Sequence, residues 1–267
     1  MRSDSARLPE VSLSRHGDPA QAGVVCASLP LAPLREAWQA DGRLAAGLPS
    51  WLCADEMGLL AQFPVQKRQL EWLAGRLAAK QALNHYRNWL DAAVPHPVDM
   101  AIRRQPDGRP FVDERTYLSI SHSRCQAVAA VANCPVGVDV ESFDALQAGS
   151  IADLLAEQEV AAVATGQGCD RSQARTLIWC LKEALFKACG QRAFVPFARA
   201  IQIQGWPQGQ APHWRIDSRA AGMAWDAEAA PACGHWRVET AWTETSAQVL
   251  VYRQGWPGAD PIKRAEE

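Results

Sequence analysis

The stretch TLIWCLKEALFKACG, residues 176–190, constrains the fold more strongly than any other part of the chain. It contains no proline and no interior glycine, and alanine, leucine, lysine and glutamate dominate it, so the sequence predicts a helix. At the helical period one face is apolar, and it comprises Leu177, Ile178, Leu181, Ala184, Leu185 and Ala188. The opposite face carries two aromatic and three charged residues, namely Trp179, Lys182, Glu183, Phe186 and Lys187. A face that is simply solvated would not need two aromatic side chains beside a glutamate and a lysine.

Glu183 and Lys187 lie four residues apart, so they are neighbours on the surface of the predicted helix. Taken alone, this spacing favours a salt bridge on an exposed face. The alternative is a carboxylate and an ammonium group held in the partly desolvated wall of a functional site. We favour the alternative because a second pair of acids, Asp139 and Glu141, precedes the helix in the chain.

The second pair belongs to VGVDVE, residues 136–141, which the pattern of valines predicts to be a strand. Side chains alternate between the two faces of a strand, so Gly137, Asp139 and Glu141 share one face, with the two acids about 7 Å apart. The glycine leaves space beside the carboxylates. Such a set suits Mg²⁺, which binds a few carboxylates together with water and phosphate oxygens. A solvent-facing strand end is the other interpretation, and repulsion between two adjacent acids weakens it.

Composition narrows the class of protein. The net charge is −2 and 21% of the 267 residues are charged, which argues against a nucleic-acid binder that relies on a strongly basic surface. The apolar runs are shorter than a membrane span, and the N-terminus lacks the apolar core of a signal peptide. None of the eight cysteines forms a C-x-x-C pair. We therefore expect reduced thiols, no zinc site and a cytoplasmic protein without membrane or nucleic-acid partners.

A long helix is predicted over residues 66–92, with leucines and Trp72 along its apolar stripe. Arg76 and Lys80 lie one turn apart on this helix and point the same way. They are either a solvated rim or a clamp for an anionic ligand. Gly75, in the middle of the helix, costs roughly 1 kcal/mol relative to alanine, which indicates close packing or the approach of a ligand.

Two further segments of the first half carry candidate ligand-binding residues. The sequence PDG at residues 106–108 predicts a turn between two short strands, and Arg109 and Pro110 follow the turn. The alternating segment YLSIS, residues 117–121, predicts a strand that leads into His122. An imidazole between serine hydroxyls is a candidate anion binder, because all of these groups can donate hydrogen bonds to phosphate. A lone histidine is more often structural.

Shorter patterns fill the rest of the chain. The first 20 residues are predicted to be a loose arm and the last ten a polar tail. Helices are predicted around residues 34–39, 55–64 and 151–164, and strands at 22–29, at 127–132 and in four segments after residue 200. Each half of the chain therefore has a strand, a helical section and then more strands.

Five motifs together resemble the 4'-phosphopantetheinyl transferases of the surfactin-synthetase-activating type. That family has a V/I-G-V/I-D-x-E strand, a W/F-x-x-K-E-A/S-x-x-K helix, a G-K/R-P turn, an S-I-S-H-S segment and a basic helix in its first half. The corresponding stretches of this chain are residues 136–141, 179–187, 108–110, 119–123 and 71–80. Any one of these motifs alone would be weak, but all five occur in the family's order and spacing.

The resemblance implies an α+β fold. The family is a pseudo-dimer of two similar α/β halves in one chain, with the active site in the cleft between them. Here the arm would be residues 1–20, the N-terminal half residues 21–134, and the C-terminal half residues 135–267. Because the chain supplies both halves, we expect a monomer.

The resemblance also implies the reaction. The enzyme would move 4'-phosphopantetheine from coenzyme A to a serine of an apo acyl or peptidyl carrier protein, releasing 3',5'-ADP. By this resemblance Asp139, Glu141 and Glu183 would bind Mg²⁺, or Mn²⁺ in its place, at the diphosphate. Lys187 would stabilise charge on the leaving oxygen. Glu183 is also a candidate base for the incoming serine.

A set of coenzyme-A-binding residues follows from the same resemblance, namely Arg76, Lys80, Arg109, Pro110, Ser121 and His122. His122, Lys80 and Arg76 would hold the 3'-phosphate, and Arg109 and Pro110 would line the adenine side. Lys80 stands where the family often has arginine, and an ammonium group cannot form the two-pronged contact of a guanidinium.

Two other functions are compatible with parts of the pattern. A D-x-E strand with a K-E helix can also build another Mg²⁺-dependent phosphodiesterase, such as a nuclease. The near-neutral composition, His122 and Arg109 speak against it. A non-catalytic module of the same fold that binds carrier proteins is the second alternative. Retention of all three acids and Lys187 speaks against that one.

Overall fold

The structure is a computed structural model, and it describes residues 10–18, 22–40, 48–145, 154–217 and 235–256. The chain divides into two compact units, and the main boundary between them lies between Asn133 and Cys134. Much of the predicted arm, at residues 1–9 and 19–20, lies outside the described residues, as does the predicted tail at residues 258–267. Among the described helices, none combines the length and the apolar character that a membrane crossing needs.

The first unit is built on a four-stranded antiparallel sheet with the order β1-β2-β6-β5. These strands are β1 (Ser12–His16), β2 (Val24–Pro30), β5 (Tyr117–His122) and β6 (Gln126–Ala132). A small hairpin of β3 (Arg103–Arg104) and β4 (Pro110–Phe111) precedes β5 in the chain. The two central strands, β2 and β6, are almost entirely buried. They read as continuous apolar runs because both faces of the sheet are covered.

Three α-helices accompany this sheet, namely α1 (Leu31–Ala40), α2 (Ala54–Ala61) and α3 (Gln66–Trp89), with single 3₁₀ turns at Leu48–Ser50 and Pro97–Asp99. Helix α3 packs on β2, β5 and β6. Its leucine stripe, including Leu73, Leu77 and Leu83, is fully buried in the core of the unit. Gly75 faces β5, since a Cβ at this position would lie 2.9 Å from Ile120 Cγ2.

The second unit contains a three-stranded antiparallel sheet with the order β10-β11-β7 and a separate hairpin of β8 and β9. The strands are β7 (Val136–Ser142), β8 (Ile201–Gly205), β9 (His213–Ile216), β10 (Trp236–Trp242) and β11 (Ser246–Arg253). The helices are α4 (Glu157–Gln167), α5 (Arg171–Cys189) and α6 (Phe194–Ala200). Each unit thus combines a long helix with an antiparallel sheet, which confirms the predicted α+β class.

Helix α5 contains the stretch from which the fold was predicted, and its apolar face is confirmed as the core of the second unit. The six predicted apolar residues are all buried against β7 and β11. Asp170 caps the helix by accepting a hydrogen bond from the Gln173 amide, and Gly190 ends it in a left-handed conformation with φ 62°. These end signals fix the helix where the sequence places them.

Two local predictions differ from the structure. Ser12–His16, within the predicted arm, forms the edge strand β1, because it pairs along its length with β2. Its mostly exposed, polar residues give no alternating pattern that would have revealed it. Helix α6 was not predicted, since Pro196 interrupts its short sequence FVPFARA.

Candidate active site

The acidic face of β7 lies against helix α5. The register with β11 pairs Gly137, Asp139 and Glu141 with Val251, Val249 and Ala247, which belong to the core under the helix. A Cβ at Gly137 would collide with the backbone carbonyl of Ala184. The predicted space beside the carboxylates is therefore filled by α5 itself, and the glycine serves the close approach of helix and strand. This closeness brings the acids of β7 next to the polar face of α5.

Lys187 joins the strand and the helix. Its Nζ donates to Asp139 Oδ1 at 2.7 Å and to the Val138 carbonyl at 3.3 Å, while Glu183 Oε2 lies 3.9 Å away. Asp139 is 2% exposed. The predicted pair of Glu183 and Lys187 is thus the weaker contact, and the ammonium group is mainly the partner of the buried Asp139.

The carboxylates of this cluster are short of positive charge. Burial, followed by the charges of Asp139 and Glu183, raises the pKa of Glu141 to about 8, although Lys187 and a hydrogen bond from Trp179 act in the opposite direction. Burial also raises the pKa of Glu183 to about 6, with Lys187 opposing it and Asp139 adding to it. One ammonium group therefore does not offset three carboxylates in one place.

The charge of Lys187 is stabilised by the same cluster. Burial works against the charged ammonium, but the charges of Asp139 and Glu183 outweigh it and raise the Lys187 pKa. The side chain therefore remains a cation at neutral pH, beside acids that still carry an excess of negative charge.

The acidic cluster fits an oxygen-binding divalent cation by its chemistry. Asp139, Glu141 and Glu183 offer hard carboxylate donors of the kind that Mg²⁺ and Mn²⁺ bind. A bound cation would lower the raised pKa values of Glu141 and Glu183, because it would stabilise their ionised carboxylates. No three Asp, Glu, His or Cys side chains in the described ranges are already arranged around a common metal position. The fit thus rests on donor type and charge.

A second polar site lies within the first unit, as a cavity of about 270 Å³ beside α3. Its lining includes four basic residues, Arg68, Arg76, Arg104 and His122, with Trp72 beside them. One carboxylate, Glu71, also lines it and pairs with Arg68, so the basic side chains remain in excess. The pocket is thus suited to an anionic ligand with a flat, stacking group.

Arg76 is the most constrained cation of this pocket. Its side chain is 6% exposed and its guanidinium stacks on Trp72, with Cζ 4.9 Å from the ring centroid. Burial, and then the charge of Arg104, lowers the pKa of Arg76 to about 10, although Glu56 opposes the shift. Its buried Nε–H has no hydrogen-bond partner among the described residues, and the nearest carboxylate oxygen, of Glu56, is 3.8 Å away. A buried donor without a partner is costly unless a ligand completes it.

The structure places three of the six predicted coenzyme-A-binding residues in the lining of the pocket and three outside it. Arg76, Pro110 and His122 line the pocket. Lys80 does not, because its side chain is 0% exposed and its Nζ donates to Glu56 Oε2 at 2.6 Å and to the Pro97 carbonyl at 2.8 Å. Its ammonium is buried in the unit on these two acceptors and does not face the pocket, so the structure does not support the predicted phosphate contact.

The other two predicted residues lie next to the pocket rather than in it. Arg109 is 42% exposed and pairs with Asp107 at 2.7 Å across the turn. Ser121 is on the face of β5 opposite to Ile120 and His122, since side chains alternate along a strand.

Arg68 and Arg104 were missed by the sequence analysis. Arg68, Trp72 and Arg76 follow one another at intervals of four residues, so helical spacing could have revealed Arg68 as a neighbour of the predicted Arg76. Arg68 also pairs with Glu71 at 3.3 Å. Arg104 belongs to the two-residue strand β3, which has no periodic signal of its own.

Two known families match the chain. The 4'-phosphopantetheinyl transferase superfamily matches residues 135–239, and the 4'-phosphopantetheinyl transferase N-terminal domain matches residues 55–132. The first match includes β7 and α5 with the acidic cluster. The second includes α3, the hairpin of β3 and β4, and β5, which together supply most of the basic pocket.

Several curated proteins are similar in sequence. Enterobactin synthase component D of Escherichia coli O157:H7 is 34% identical over 168 residues, which is 58% of this chain and 75% of that protein. The 4'-phosphopantetheinyl transferase gsp of Aneurinibacillus migulanus is 28% identical over 98 residues, or 37% of this chain and 41% of that protein. A holo-[acyl-carrier-protein] synthase of Anoxybacillus flavithermus is 40% identical over 73 residues, which is 24% of this chain and 58% of that protein.

Among solved structures, a holo-(acyl-carrier-protein) synthase from Bacillus anthracis in complex with CoA (3',5'-ADP) is 25% identical. The match covers 42% of this chain and 96% of that chain, with a TM-score of 0.34.

Proposed function

The chain belongs to the 4'-phosphopantetheinyl transferase superfamily, and on that premise we propose that it transfers 4'-phosphopantetheine from coenzyme A to a serine of an apo acyl or peptidyl carrier protein. The serine oxygen would form a new bond to the phosphorus that carries pantetheine, while the bridging P–O bond of the diphosphate breaks. The serine proton goes to a base, and 3',5'-ADP leaves with the bridging oxygen.

The observation that carries this proposal is the acidic cluster of β7 and α5. Asp139, Glu141 and Glu183 would hold Mg²⁺ or Mn²⁺, which when bound would neutralise and orient the diphosphate. Lys187, a cation already fixed on Asp139 at 2.7 Å, would stabilise charge on the leaving oxygen. Glu183 would also be a candidate base that accepts the serine proton.

The basic pocket of the first unit would bind the nucleotide end of coenzyme A. Arg76, Arg104 and His122 would contact the 3'-phosphate, because charge-assisted donors bind phosphate strongly. Trp72 and Pro110 would line the adenine. Arg109, held by Asp107 at the neighbouring turn, would lie at the edge, and Ser121 would support His122 from within β5.

We propose further that the chain is of the surfactin-synthetase-activating type and works as a monomer. The support is that one chain matches both the N-terminal domain and the superfamily core of these transferases. The cleft position of the active site and the cytoplasmic location stay predictions. Hydrolysis of nucleic acid and carrier binding without transfer are the competing outcomes.

The test is to incubate the protein with coenzyme A, Mg²⁺ and a panel of apo carrier proteins, and to weigh the carriers. A transferred group adds roughly 340 Da to a carrier, in a metal-dependent step. Lys187→Met is the matched control, because it retains the length of the side chain but removes its charge. No mass gain on any carrier with either Mg²⁺ or Mn²⁺ would contradict the proposal, and cleavage of DNA or RNA would replace it.

A further inference from the structure

A buried ion pair lies at the start of helix α2 in the first unit. Glu56, at the third helical position, accepts from Lys80 Nζ of α3 at 2.6 Å and from the Cys53 amide at 3.2 Å. Its other oxygen accepts from the Ile102 amide at 3.2 Å, and Lys80 also donates to the Pro97 carbonyl. Both charged side chains are buried. The pair thus ties α3 to the start of α2 and to the segment before β3.

The second unit contains the same arrangement. Glu159, at the third position of α4, accepts from Lys182 Nζ of α5 at 3.1 Å and from the Ala156 amide at 2.9 Å. Its other oxygen accepts from the Ile203 amide at 2.7 Å, and Lys182 also donates to the Leu154 carbonyl at 2.9 Å. Both side chains are again buried. The sequence analysis placed Lys182 on the polar face of the helix, opposite to the apolar face, but the structure buries it on Glu159 of α4.

The two pairs correspond in sequence as well as in contacts. The glutamate and lysine are 24 residues apart in the first unit and 23 in the second, and the glutamate and isoleucine are 46 and 44 apart. In both units the glutamate is the N3 residue of its helix and accepts a hydrogen bond from the amide of the N-cap residue. Two independent copies of one arrangement indicate that it performs the same task in each unit.

We propose that each pair positions the helix that carries the functional residues of its unit, a role that rests on the function proposed above. Lys182 directly precedes Glu183, and adjacent side chains on a helix diverge by about 100°. Anchoring Lys182 on Glu159 therefore fixes the rotation of α5 that directs Glu183 and Lys187 towards β7. In the first unit, Lys80 lies one turn from Arg76 and fixes the rotation of α3 that directs Arg76 into the basic pocket.

Stability alone does not explain these pairs. A buried ion pair often contributes no more to stability than apolar side chains of similar volume would, because both charges must be desolvated. An ion pair adds a fixed direction, since each glutamate here accepts hydrogen bonds from the amide at its helix start, from a lysine and from the amide of a distant isoleucine. Substitution of a residue that orients metal ligands without binding the metal itself typically changes metal affinity 10- to 100-fold. A positioning role for these pairs predicts an effect of that size.

The test compares two matched variants, Glu159→Asp and Glu56→Asp, which keep the charge but shorten the side chain. Mn²⁺ binding by electron paramagnetic resonance reports the acidic cluster, and calorimetry with 3',5'-ADP in the absence of metal reports the basic pocket. We expect Glu159→Asp to weaken Mn²⁺ binding about 10- to 100-fold and to leave 3',5'-ADP binding unchanged. Glu56→Asp should weaken 3',5'-ADP binding and leave Mn²⁺ binding unchanged.

Thermal unfolding of both variants separates positioning from folding. Positioning is supported if the two variants lose similar thermal stability but each weakens the binding of only its own ligand. It is overturned if neither variant changes the binding of either ligand, or if both variants weaken both ligands equally. If Glu159→Asp does not fold, the double variant Glu159→Gln with Lys182→Met removes both charges, should fold, and must show the same selective loss of Mn²⁺ affinity. Failure of the wild type to modify any carrier would contradict the proposed function but leave both binding measurements valid.

Discussion

Metal binding to the acidic cluster should release about one proton at pH 7. A group with a pKa of about 8, such as Glu141, is roughly nine-tenths protonated at that pH, and one with a pKa of about 6, such as Glu183, roughly one-tenth. A carboxylate must lose its proton to bind a cation, so binding releases the sum, close to one proton. By pH 8.5 the release should fall to about a quarter of a proton, since Glu141 is then mostly ionised.

The assay is calorimetric titration of Mg²⁺ or Mn²⁺ into the metal-free protein at pH 7 in buffers of different ionisation enthalpy. The observed enthalpy plotted against the ionisation enthalpy of the buffer gives the number of protons as its slope. Glu141→Gln is the matched control and should reduce the slope to about one-tenth. A slope near zero in the wild type, or an unchanged slope in Glu141→Gln, would refute the assignment of the metal ligands.

The same shift makes stability depend on pH. The pKa of Glu141 is raised from 4.5 to about 8 on folding, so the folded state binds the proton more tightly than the unfolded state does. This contribution to the stability of the metal-free protein is therefore complete below pH 4.5 and is lost as the pH rises towards 8. Saturating metal should remove much of this loss, because the cation stabilises the ionised carboxylate.

Four further substitutions test other parts of the structure. Gly137→Ala should destabilise the protein by about 1–3 kcal/mol, since the methyl group meets a helix carbonyl, whereas Gly58→Ala, with open space around it, should be neutral or stabilising in urea unfolding. Lys80→Met should cost about 3–5 kcal/mol in urea unfolding by leaving its buried glutamate partner without a counter-charge, and an unchanged free energy of unfolding would contradict the buried ion pair. Arg76→Met and His122→Ala should each weaken the binding of coenzyme A by about 1.5–3 kcal/mol and leave the binding of dephospho-coenzyme A unchanged. Equal losses of binding for both ligands in calorimetry would show that these residues do not contact the 3'-phosphate.

Periodicity predicted the elements that build the acidic cluster. The period of α5 and the alternation of β7 depend on local sequence, and they correctly placed Asp139 and Glu141 on one strand face and Glu183 and Lys187 on one helix. Periodicity does not report what covers a face. Gly137 was therefore interpreted as open space, although α5 packs on it.

The basic pocket was harder to predict, because burial depends on distant partners. Helical spacing places Arg76 and Lys80 on one face of α3, but Glu56, from another helix, withdraws Lys80 into the interior. Arg104 reaches the pocket from a strand that is too short to show a pattern. Only the packing of α2, α3 and β3 together decides which cations line the cavity.

The most direct test of the central proposal is to measure both products of one reaction. Coenzyme A, Mg²⁺ and a responsive apo carrier are incubated with the protein, and the modified carrier is counted by mass spectrometry while 3',5'-ADP is counted by chromatography. Transfer predicts equal amounts of the two products, and neither product once the metal is chelated. Release of 3',5'-ADP without any modified carrier would show hydrolysis of the diphosphate instead and would contradict the account.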